Sequence, residues 1–240
     1  MPKLSGVSPD ETPNSGVRDL TMVAQDYLKA IWTAQEWSHD KVSTKMLAER
    51  IGVSASTASE SIRKLADQGL VDHEKYGAVT LTEQGRHAAL GVVRRHRLLE
   101  TFLVQELGYS WDEVHDEAEI LEHAVSDMML DRIDVKLGYP TRDPHGDPIP
   151  APDGRVPTPP ARQLSACQDG DVGTVARISD ADPEMLRYFD AVGISLDSRL
   201  RVLARRDFAG MISVSIESGG AASTVELGSP AAQAIWVVGS

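Results

Sequence analysis

The residues best suited to chemistry are histidines and carboxylates that recur at helical spacing near the middle of the chain. Four of them lie between Trp111 and Asp127 at successive offsets of four, three and one, namely His115, Glu119, Glu122 and His123. At about 100° per residue, these side chains share one face of a helix. Carboxylates on a packing face cost several kcal/mol each unless something neutralises them, and a divalent cation would do so.

Three more candidate ligands precede this group. His96 and Glu100 are one turn apart on the preceding helical segment, and Asp26 lies beside the apolar stripe of the first one. A lone histidine is more often a hydrogen-bonded helix residue, and acidic faces are usually solvated. Four ligands on one face and two on the neighbouring segment nevertheless favour a metal site.

A helix-turn-helix pattern lies upstream of these ligands. Two short helical segments, Thr44–Ile51 and Ala55–Gln68, flank a turn in which Gly52 permits the chain reversal and Ser54 is a favourable N-cap. Alternating residues on both sides of 74–77 then predict a small hairpin, which would form a wing. The pattern indicates a winged helix-turn-helix that reads DNA, and the alternative is a module of the same fold that contacts only proteins.

The outward positions of the second helix carry short hydroxyls and, further along, cations. Such side chains let a helix enter the major groove closely and reach phosphates or base edges, while the hairpin would lie beside the backbone. The candidate DNA-binding residues are Ser54, Ser56, Thr57, Ser59, Glu60, Arg63, Lys64, Lys75 and Tyr76.

Five regions follow from these patterns and from composition. We predict a flexible arm at 1–19, a winged helix-turn-helix domain at 20–90, a helical domain with the candidate ligands at 91–140, a linker at 141–161 and a small β domain at 162–240. The linker follows from eight prolines within 140–160. The β domain follows from period-two alternation, which predicts strands at 172–178, 200–203, 212–216 and 235–238, with one helix near Pro183–Val192. The predicted fold class is mainly α with a small antiparallel barrel.

Charge and composition limit the function classes. The net charge is -12, but residues 21–95 carry ten Lys and Arg against nine Asp and Glu, whereas 96–140 carry three against eleven. A near-neutral module that could approach DNA therefore adjoins a carboxylate-dense one. The lone cysteine, Cys167, permits no internal disulfide and no cysteine-based zinc site. No run approaches the roughly 18 apolar residues of a membrane span, so we expect a cytoplasmic protein.

The ligand-bearing segments carry a family resemblance. His96–Glu100 (HRLLE), followed by Val114–Asp127 (VHDEAEILEHAVSD), closely resembles the metal-binding segment of the diphtheria toxin repressor family, which includes iron-dependent and manganese-dependent (MntR-type) transcriptional repressors. The resemblance covers about 20–140. In the tail, Gly173–Ile178, Leu186–Ile194 and Ile235–Val237 look like the SH3-like (FeoA-like) domain of longer members.

The resemblance implies two metal sites per subunit. The primary site would use Asp26, Glu119, Glu122 and His123. The ancillary site would use His96, Glu100 and His115, completed from the SH3-like domain by Asp182 or Glu184. Iron-responsive members have methionine at the position of Asp26 and cysteine at that of Glu119, and hard oxygen ligands suit Mn²⁺. Lys29 stands where compact manganese members have a second glutamate, so their binuclear site cannot be copied unchanged.

The function implied is a homodimeric, Mn²⁺-dependent repressor of manganese uptake and homeostasis genes. The helices around 111–137 would form the dimer interface, and the double-stranded DNA operator would be a pseudo-palindrome. Fe²⁺, Co²⁺ or Zn²⁺ could substitute for Mn²⁺. The first alternative is an iron- or zinc-responsive repressor of the same architecture. The second is a Mn²⁺-dependent hydrolase, against which the winged module argues.

Overall fold

A computed structural model describes residues 20–38, 40–73, 77–218 and 221–239. The predicted arm at 1–19 and the wing candidates Lys75 and Tyr76 lie outside these ranges. The chain divides into two compact units. The first holds the described residues up to His96 together with Leu121–Arg132 and Ile149–Val156. The second holds Arg97–Ile120, Ile133–Pro148 and the described residues from Pro157 onward.

The first unit contains a winged helix-turn-helix. Its elements are α1 (Met22–Glu36), α2 (Thr44–Ile51), α3 (Ala55–Asp67), β1 (Val71–His73), β2 (Val79–Leu81) and the start of α4 (Glu83–Leu107). β1 and β2 pair antiparallel. Gly52 ends α2 with a φ of 74°, and Ser54 caps α3 by accepting a hydrogen bond from the Thr57 amide. The predicted turn and its N-cap are confirmed.

Apolar faces of these elements form the core of the first unit. Leu28 and Ile31 of α1, Leu47 of α2, Ile62 of α3 and Val79 of β2 are all fully buried. This burial follows the three- and four-residue spacing of the apolar positions in the helices. The core therefore fixes α3 from behind and leaves its polar face outside.

A glycine and a threonine start α4 against this core. A Cβ on Gly85 would lie 1.8 Å from the Leu70 carbonyl oxygen, so no other residue fits there without moving backbone. The Thr82 hydroxyl donates to the Gly69 carbonyl and accepts from the Gly85 amide. These contacts tie the end of the helix-turn-helix to the helix that carries His96 and Glu100.

Two shorter helices follow α4. They are α5 (Val114–Glu122) and α6 (Asp127–Lys136), which together occupy the predicted helical pair at 111–137. In the first unit, the buried Arg95 guanidinium binds Asp127 at 2.6 Å and so joins the start of α6 to α4. Every helix in the described ranges is too short or too polar to cross a membrane.

The proline-rich segment differs from the expected spacer. Asp143 and residues 145–150 are buried. In the second unit, Arg97 donates to the Pro148 carbonyl at 2.7 Å, and in the first unit Arg94 donates to the Pro150 carbonyl at 2.8 Å. Proline removes amide donors but leaves carbonyls, and the arginines of α4 satisfy them. This part of the segment is therefore packed structure rather than a chain exposed to solvent.

The tail of the second unit forms a six-stranded antiparallel sheet. Its strands are β3 (Ala161–Gln163), β4 (Val172–Ile178), β5 (Arg199–Arg206), β6 (Met211–Ser218), β7 (Ala221–Gly228) and β8 (Ile235–Gly239), in the order β3-β8-β4-β5-β6-β7. Two helices accompany them, α7 (Pro183–Val192) and α8 (Ser229–Gln233). The predicted strands in β4, β5, β6 and β8 and the predicted helix are confirmed. β3 and β7 were not predicted.

Candidate metal sites and DNA-binding surface

Three predicted ligands of the primary site meet in the first unit. Asp26 of α1, Glu122 at the end of α5 and His123 each offer one ligand atom, and these atoms lie within 4.8 Å of one another. We name these three residues the first cluster. The Nε2 atom of His123 lies 3.0 Å from Asp26 Oδ1 and 3.6 Å from Glu122 Oε1. An imidazole nitrogen therefore faces two carboxylate oxygens.

A neighbouring amide orients the His123 ring. Nδ1 of His123 lies 3.1 Å from Gln25 Oε1, and the amide nitrogen of Gln25 donates to the Leu20 carbonyl. This second bond assigns the oxygen of Gln25 to the histidine, so Nδ1 carries a proton and donates it. Nε2 is then the nitrogen presented to the carboxylates. A bound cation shared by the three ligand atoms fits this arrangement.

Glu122 is fully buried between two nitrogen donors. Lys29 Nζ lies 2.6 Å from its Oε1, and His96 Nδ1 lies 2.6 Å from its Oε2. Burial alone would favour the neutral acid, but the hydrogen bond from His96 and the charge of Lys29 outweigh it and lower the pKa of Glu122. Glu122 is therefore held as a carboxylate.

A second cluster lies in the second unit. It consists of Glu100 of α4, His145 of the proline-rich segment and Asp180 after β4, whose ligand atoms again lie within 4.8 Å of one another. His115 adjoins it, with Nδ1 at 3.3 Å from Glu100 Oε1 and 3.5 Å from Asp180 Oδ2. Only 1% of the Glu100 side chain and 1% of the His145 side chain are exposed.

The contacts of His145 fix its tautomer. Nε2 lies 2.7 Å from the Trp111 carbonyl oxygen, which can only accept, so Nε2 carries the proton. Nδ1 is buried without a hydrogen-bond partner, and Glu100 Oε2 lies 3.9 Å away from it. Burial opposes a charged ring, but the nearby carboxylates of Asp143, Glu100 and Asp180 raise the pKa of His145. A histidine that donates one nitrogen to a carbonyl and presents the other is typical of a metal ligand.

The loop around His145 is held by several bonds. Asp143 accepts from the amides of His145 and Asp147, and the His145 carbonyl accepts from the Ile178 amide of β4. Gly146 has a φ of 91°, and a Cβ there would lie 2.1 Å from the Ala176 carbonyl oxygen. The loop therefore lies directly on the β4 backbone, which carries Asp180 two residues beyond its end.

Arginines neutralise only part of the charge in this loop. Arg177 binds Asp147 at 2.6 Å and stacks on Trp236, whereas Arg97 lies 3.6 Å from both Asp143 and Asp147. Complete burial and the charges of Asp147 and Glu100 raise the pKa of Asp143 to about 8. The carboxyl group of Asp143, which adjoins the second cluster, is thus difficult to ionise without an added cation.

The structure places the remaining predicted ligands as follows. His96, expected in the ancillary site, binds Glu122 of the first cluster, and Glu119, expected in the primary site, contacts His115 with Oε1 3.4 Å from Nε2. Asp182 is the N-cap of α7 and accepts from the amides of Glu184 and Met185.

Glu184 lies exposed in the first turn of α7, and neither it nor Asp182 belongs to the two clusters. Sequence reasoning missed His145 and Asp180. The signal for His145 was present as a histidine between Asp143 and Asp147, within a segment interpreted as a spacer.

The candidate DNA-binding residues on α3 lie on one exposed surface. Ser54, Ser56, Thr57, Ser59, Glu60, Arg63 and Lys64 are all exposed, while Ala58, Ile62 and Leu65 are buried behind them. Two hydroxyls are already used, since Ser54 caps the helix and Ser59 donates to the Ala55 carbonyl. Lys64 hydrogen-bonds to Glu60 at 2.9 Å and lowers the pKa of Glu60.

Three family models match successive parts of the chain. Residues 19–79 match the N-terminal DNA-binding domain of the iron-dependent repressors, and residues 82–151 match their metal-binding and dimerisation domain. Residues 162–238 match the FeoA domain. The described helix-turn-helix, the two clusters and the β domain thus fall within parts of the chain that these models cover.

Whole-chain comparisons agree with the family models. The iron-dependent repressor IdeR of Mycobacterium tuberculosis is 30% identical over 188 residues, which are 69% of this chain and 81% of that one. The solved structure of a manganese-dependent transcriptional repressor in complex with manganese is 81% identical, with a TM-score of 0.87 over 90% of this chain and 99% of that one.

The structure of the manganese regulator SloR is 34% identical, with a TM-score of 0.76 over 92% of this chain and all of the other. Of the curated relatives, the diphtheria toxin repressor of Corynebacterium diphtheriae is 33% identical over 137 residues, which are 57% of this chain and 60% of that one. The chain therefore belongs to the diphtheria toxin repressor family of metal-dependent, DNA-binding transcriptional repressors.

Proposed function

We propose that this repressor responds to manganese, with Mn²⁺ as its co-repressor at the first cluster. The observation that carries the proposal is the donor set of Asp26, Glu122 and His123, which offers two carboxylate oxygens and one imidazole nitrogen within 4.8 Å. Hard oxygen donors with one imidazole suit Mn²⁺, whereas sulfur donors would favour metals later in the affinity series. The 81% identity to a manganese-dependent repressor supports the same choice.

We further propose that Glu119 completes the primary site when the cation is bound. Glu119 precedes Glu122 by three residues, so both belong to one face of the helical segment. Glu119 Oε1 lies 3.4 Å from His115 Nε2, and both side chains are partly exposed. Because an exposed ion pair contributes little stability, Glu119 can leave His115 for a cation at low cost.

We also propose a second cation site at Glu100, His115, His145 and Asp180, which shares Glu100 and His115 with the ancillary set expected from the sequence. The carboxylates and the unpartnered Nδ1 of His145 support it, together with the burial that makes uncompensated charge costly there. The same donor types suit Mn²⁺. Fe²⁺, Co²⁺ or Zn²⁺ could substitute for it, with a different effect on DNA binding.

The link to DNA runs through α1. Asp26 belongs to the helix-turn-helix domain, while Glu122 ends α5 and His123 follows it, so shared coordination would fix α1 against these ligands. When bound, the cation supplies the positive charge that lets the carboxylates approach closely. Residues on α3 of two subunits would then face successive major grooves about 34 Å apart, and the operator would be a pseudo-palindrome. The coupling is reciprocal, so operator DNA should tighten Mn²⁺ binding.

Operator binding tests the proposal directly. An operator is first selected from random duplex DNA with the Mn²⁺-loaded full chain, and its affinity is then measured by fluorescence anisotropy in chelator, Mn²⁺, Fe²⁺ and Zn²⁺ at fixed salt. We expect Mn²⁺ to tighten binding at least about tenfold over chelator. Asp26→Ala should abolish this gain, while Asp169→Ala, at an exposed carboxylate outside both clusters, should retain it.

Two outcomes would change the assignment, and a third would extend it. Equal affinity in chelator and Mn²⁺ would contradict a co-repressor role for the first cluster. A larger gain with Fe²⁺ or Zn²⁺ would support the alternative iron- or zinc-responsive repressor. Recovery of selected sites that match genes for manganese uptake would identify the regulated process. The hydrolase alternative is excluded by membership of a repressor family.

A further inference from the structure

Lys29 binds the carboxylate oxygen of Glu122 that faces His123 of the first cluster. Its Nζ lies 2.6 Å from Glu122 Oε1, and the same Oε1 lies 3.6 Å from His123 Nε2. The other oxygen, Oε2, accepts from His96. The ammonium therefore stands at the oxygen that a cation shared with Asp26 and His123 would use.

The position of Lys29 lets its ammonium either contact Glu122 or turn into solvent. Lys29 follows Asp26 by three residues on α1, so the two side chains share a face of the helix. Glu122 is completely buried, but 12% of the Lys29 side chain is exposed. A lysine carries its charge on a flexible four-carbon stem, so the ammonium can turn into solvent without any change of the backbone.

We propose that Lys29 is a built-in competitor that sets the metal affinity of the first cluster. This inference rests on the proposed function. In the metal-free protein, the Lys29 ammonium neutralises Glu122 in place of a divalent ion. For Glu122 Oε1 to become a ligand, Lys29 has to release that oxygen, and its charge repels a cation that remains close. The ion pair and metal binding therefore weaken each other by the same factor.

A purely structural ion pair predicts the opposite response. If Lys29 only held Glu122 in position for the metal, its removal would disorder the ligand and weaken metal binding. If Lys29 competes, its removal destabilises the metal-free protein and tightens metal binding. The sign of the affinity change therefore separates the two roles.

The test measures Mn²⁺ binding to the full chain by competition with a fluorescent chelator. The first cluster is identified as the binding that Asp26→Ala removes. Lys29→Met keeps the length of the stem without charge, Lys29→Gln keeps a hydrogen-bond donor without charge, and Lys29→Arg keeps the charge. Lys45→Met is the matched control, because Lys45 pairs with Glu49 on the exposed surface of the same unit.

We expect Lys29→Met and Lys29→Gln to bind Mn²⁺ about tenfold more tightly than the unchanged chain, with Lys29→Arg and Lys45→Met within about threefold of it. The metal-free melting temperature should fall in both uncharged variants, and Mn²⁺ should raise it by more. Unchanged or weaker binding by folded Lys29→Met and Lys29→Gln would overturn the competitor role alone. Absence of Asp26-dependent Mn²⁺ binding in the unchanged chain would overturn the proposed function as well.

Discussion

The two clusters use the same residue types but neutralise their carboxylates differently. In the first, buried Glu122 has Lys29 and His96 on its two oxygens, and its pKa is lowered. Beside the second, Asp143 is buried next to further carboxylates, and its pKa is raised to about 8. Nearby donors therefore decide whether a buried carboxylate is ready to ionise or resists it.

The difference indicates how each cluster would respond to a cation. The first already contains positive charge, so a metal has to displace a partner. The second adjoins Asp143, whose carboxyl group resists ionisation, and its own His145 has a ring nitrogen without a hydrogen-bond partner. A metal there would supply missing charge and displace a proton. We expect competition to limit affinity at the first cluster and proton release to limit it at the second.

The largest effect is expected from Glu122→Ala. This change removes the carboxylate that faces Lys29 and His96 in a buried position, and breaking a buried ion pair typically costs about 3–5 kcal/mol. Urea unfolding in chelator should show a loss of that size. Hydrogen exchange measured by mass spectrometry should place the loosening in α1 and in the part of α4 around His96, because these elements carry the two partners of Glu122.

The corresponding change in an exposed pair provides the control. Glu49→Ala removes the partner of Lys45 on α2, where 84% of the Lys45 side chain is exposed, and it should cost less than about 1 kcal/mol. If Glu122→Ala and Glu49→Ala cost the same, the distinction drawn for the first cluster is wrong.

A smaller effect is expected from His145→Ala, which removes a ligand from the second cluster only. Changes around a metal ligand commonly weaken metal affinity about 10- to 100-fold. At a moderate Mn²⁺ concentration, the His145→Ala chain should therefore bind one Mn²⁺ ion where the unchanged chain binds two. Equilibrium dialysis with metal analysis gives the number of ions per chain. His87→Ala, at an exposed histidine on α4, should leave the number unchanged. Loss of both ions in His145→Ala would show that the clusters do not act separately.

The pKa shifts predict opposite pH responses for the two clusters. The folded protein holds a proton on Asp143 up to about pH 8, whereas an unfolded aspartate loses it near pH 4. Stability in chelator should therefore fall as pH rises through this window, by up to about 1.4 kcal/mol per pH unit. The raised pKa of His145 acts in the same direction. The lowered pKa of Glu122 acts oppositely and removes stability only as pH falls below about 4.

Asp143→Asn separates these contributions. The variant should have a flatter dependence of unfolding free energy on pH between 6 and 8, measured by urea unfolding in chelator. Mn²⁺ at saturating concentration should flatten the dependence in the unchanged chain as well, because a bound cation favours the carboxylate. A slope that is the same in the unchanged chain and in Asp143→Asn would contradict the assignment to Asp143.

The sequence predicts the elements that local signals determine. The turn between α2 and α3 follows from Gly52 and Ser54, whose φ of 74° and capping bond depend only on neighbouring residues. Asp182 followed by Pro183 is also such a local signal, since an aspartate before a proline is typical of a helix start. That signal describes a helix cap, and the structure agrees with it rather than with a metal ligand.

Tertiary contacts explain what sequence patterns did not predict. His145 is positioned by two contacts: Gly146 lets the loop lie on β4, and the Ile178 amide donates to the His145 carbonyl. Neither contact produces a periodic pattern in the sequence. β7 is rich in Ala, Ser and Thr, so it lacks the apolar alternation that identified β6. It is a strand because it pairs antiparallel with β6 over eight residue pairs.

The smallest effect is expected from Arg142→Ala, which breaks an ion pair at the surface of the second unit. Arg142 and Asp197 form two hydrogen bonds at 2.6 and 2.9 Å, but 45% and 63% of their side chains are exposed. Solvent screening and side-chain entropy reduce such pairs to less than about 1 kcal/mol even when the geometry is good. Urea unfolding should therefore change little, and Mn²⁺ binding should not change. A loss as large as that of Glu122→Ala would mean that geometry, and not burial among donors, determines which ion pairs matter in this repressor.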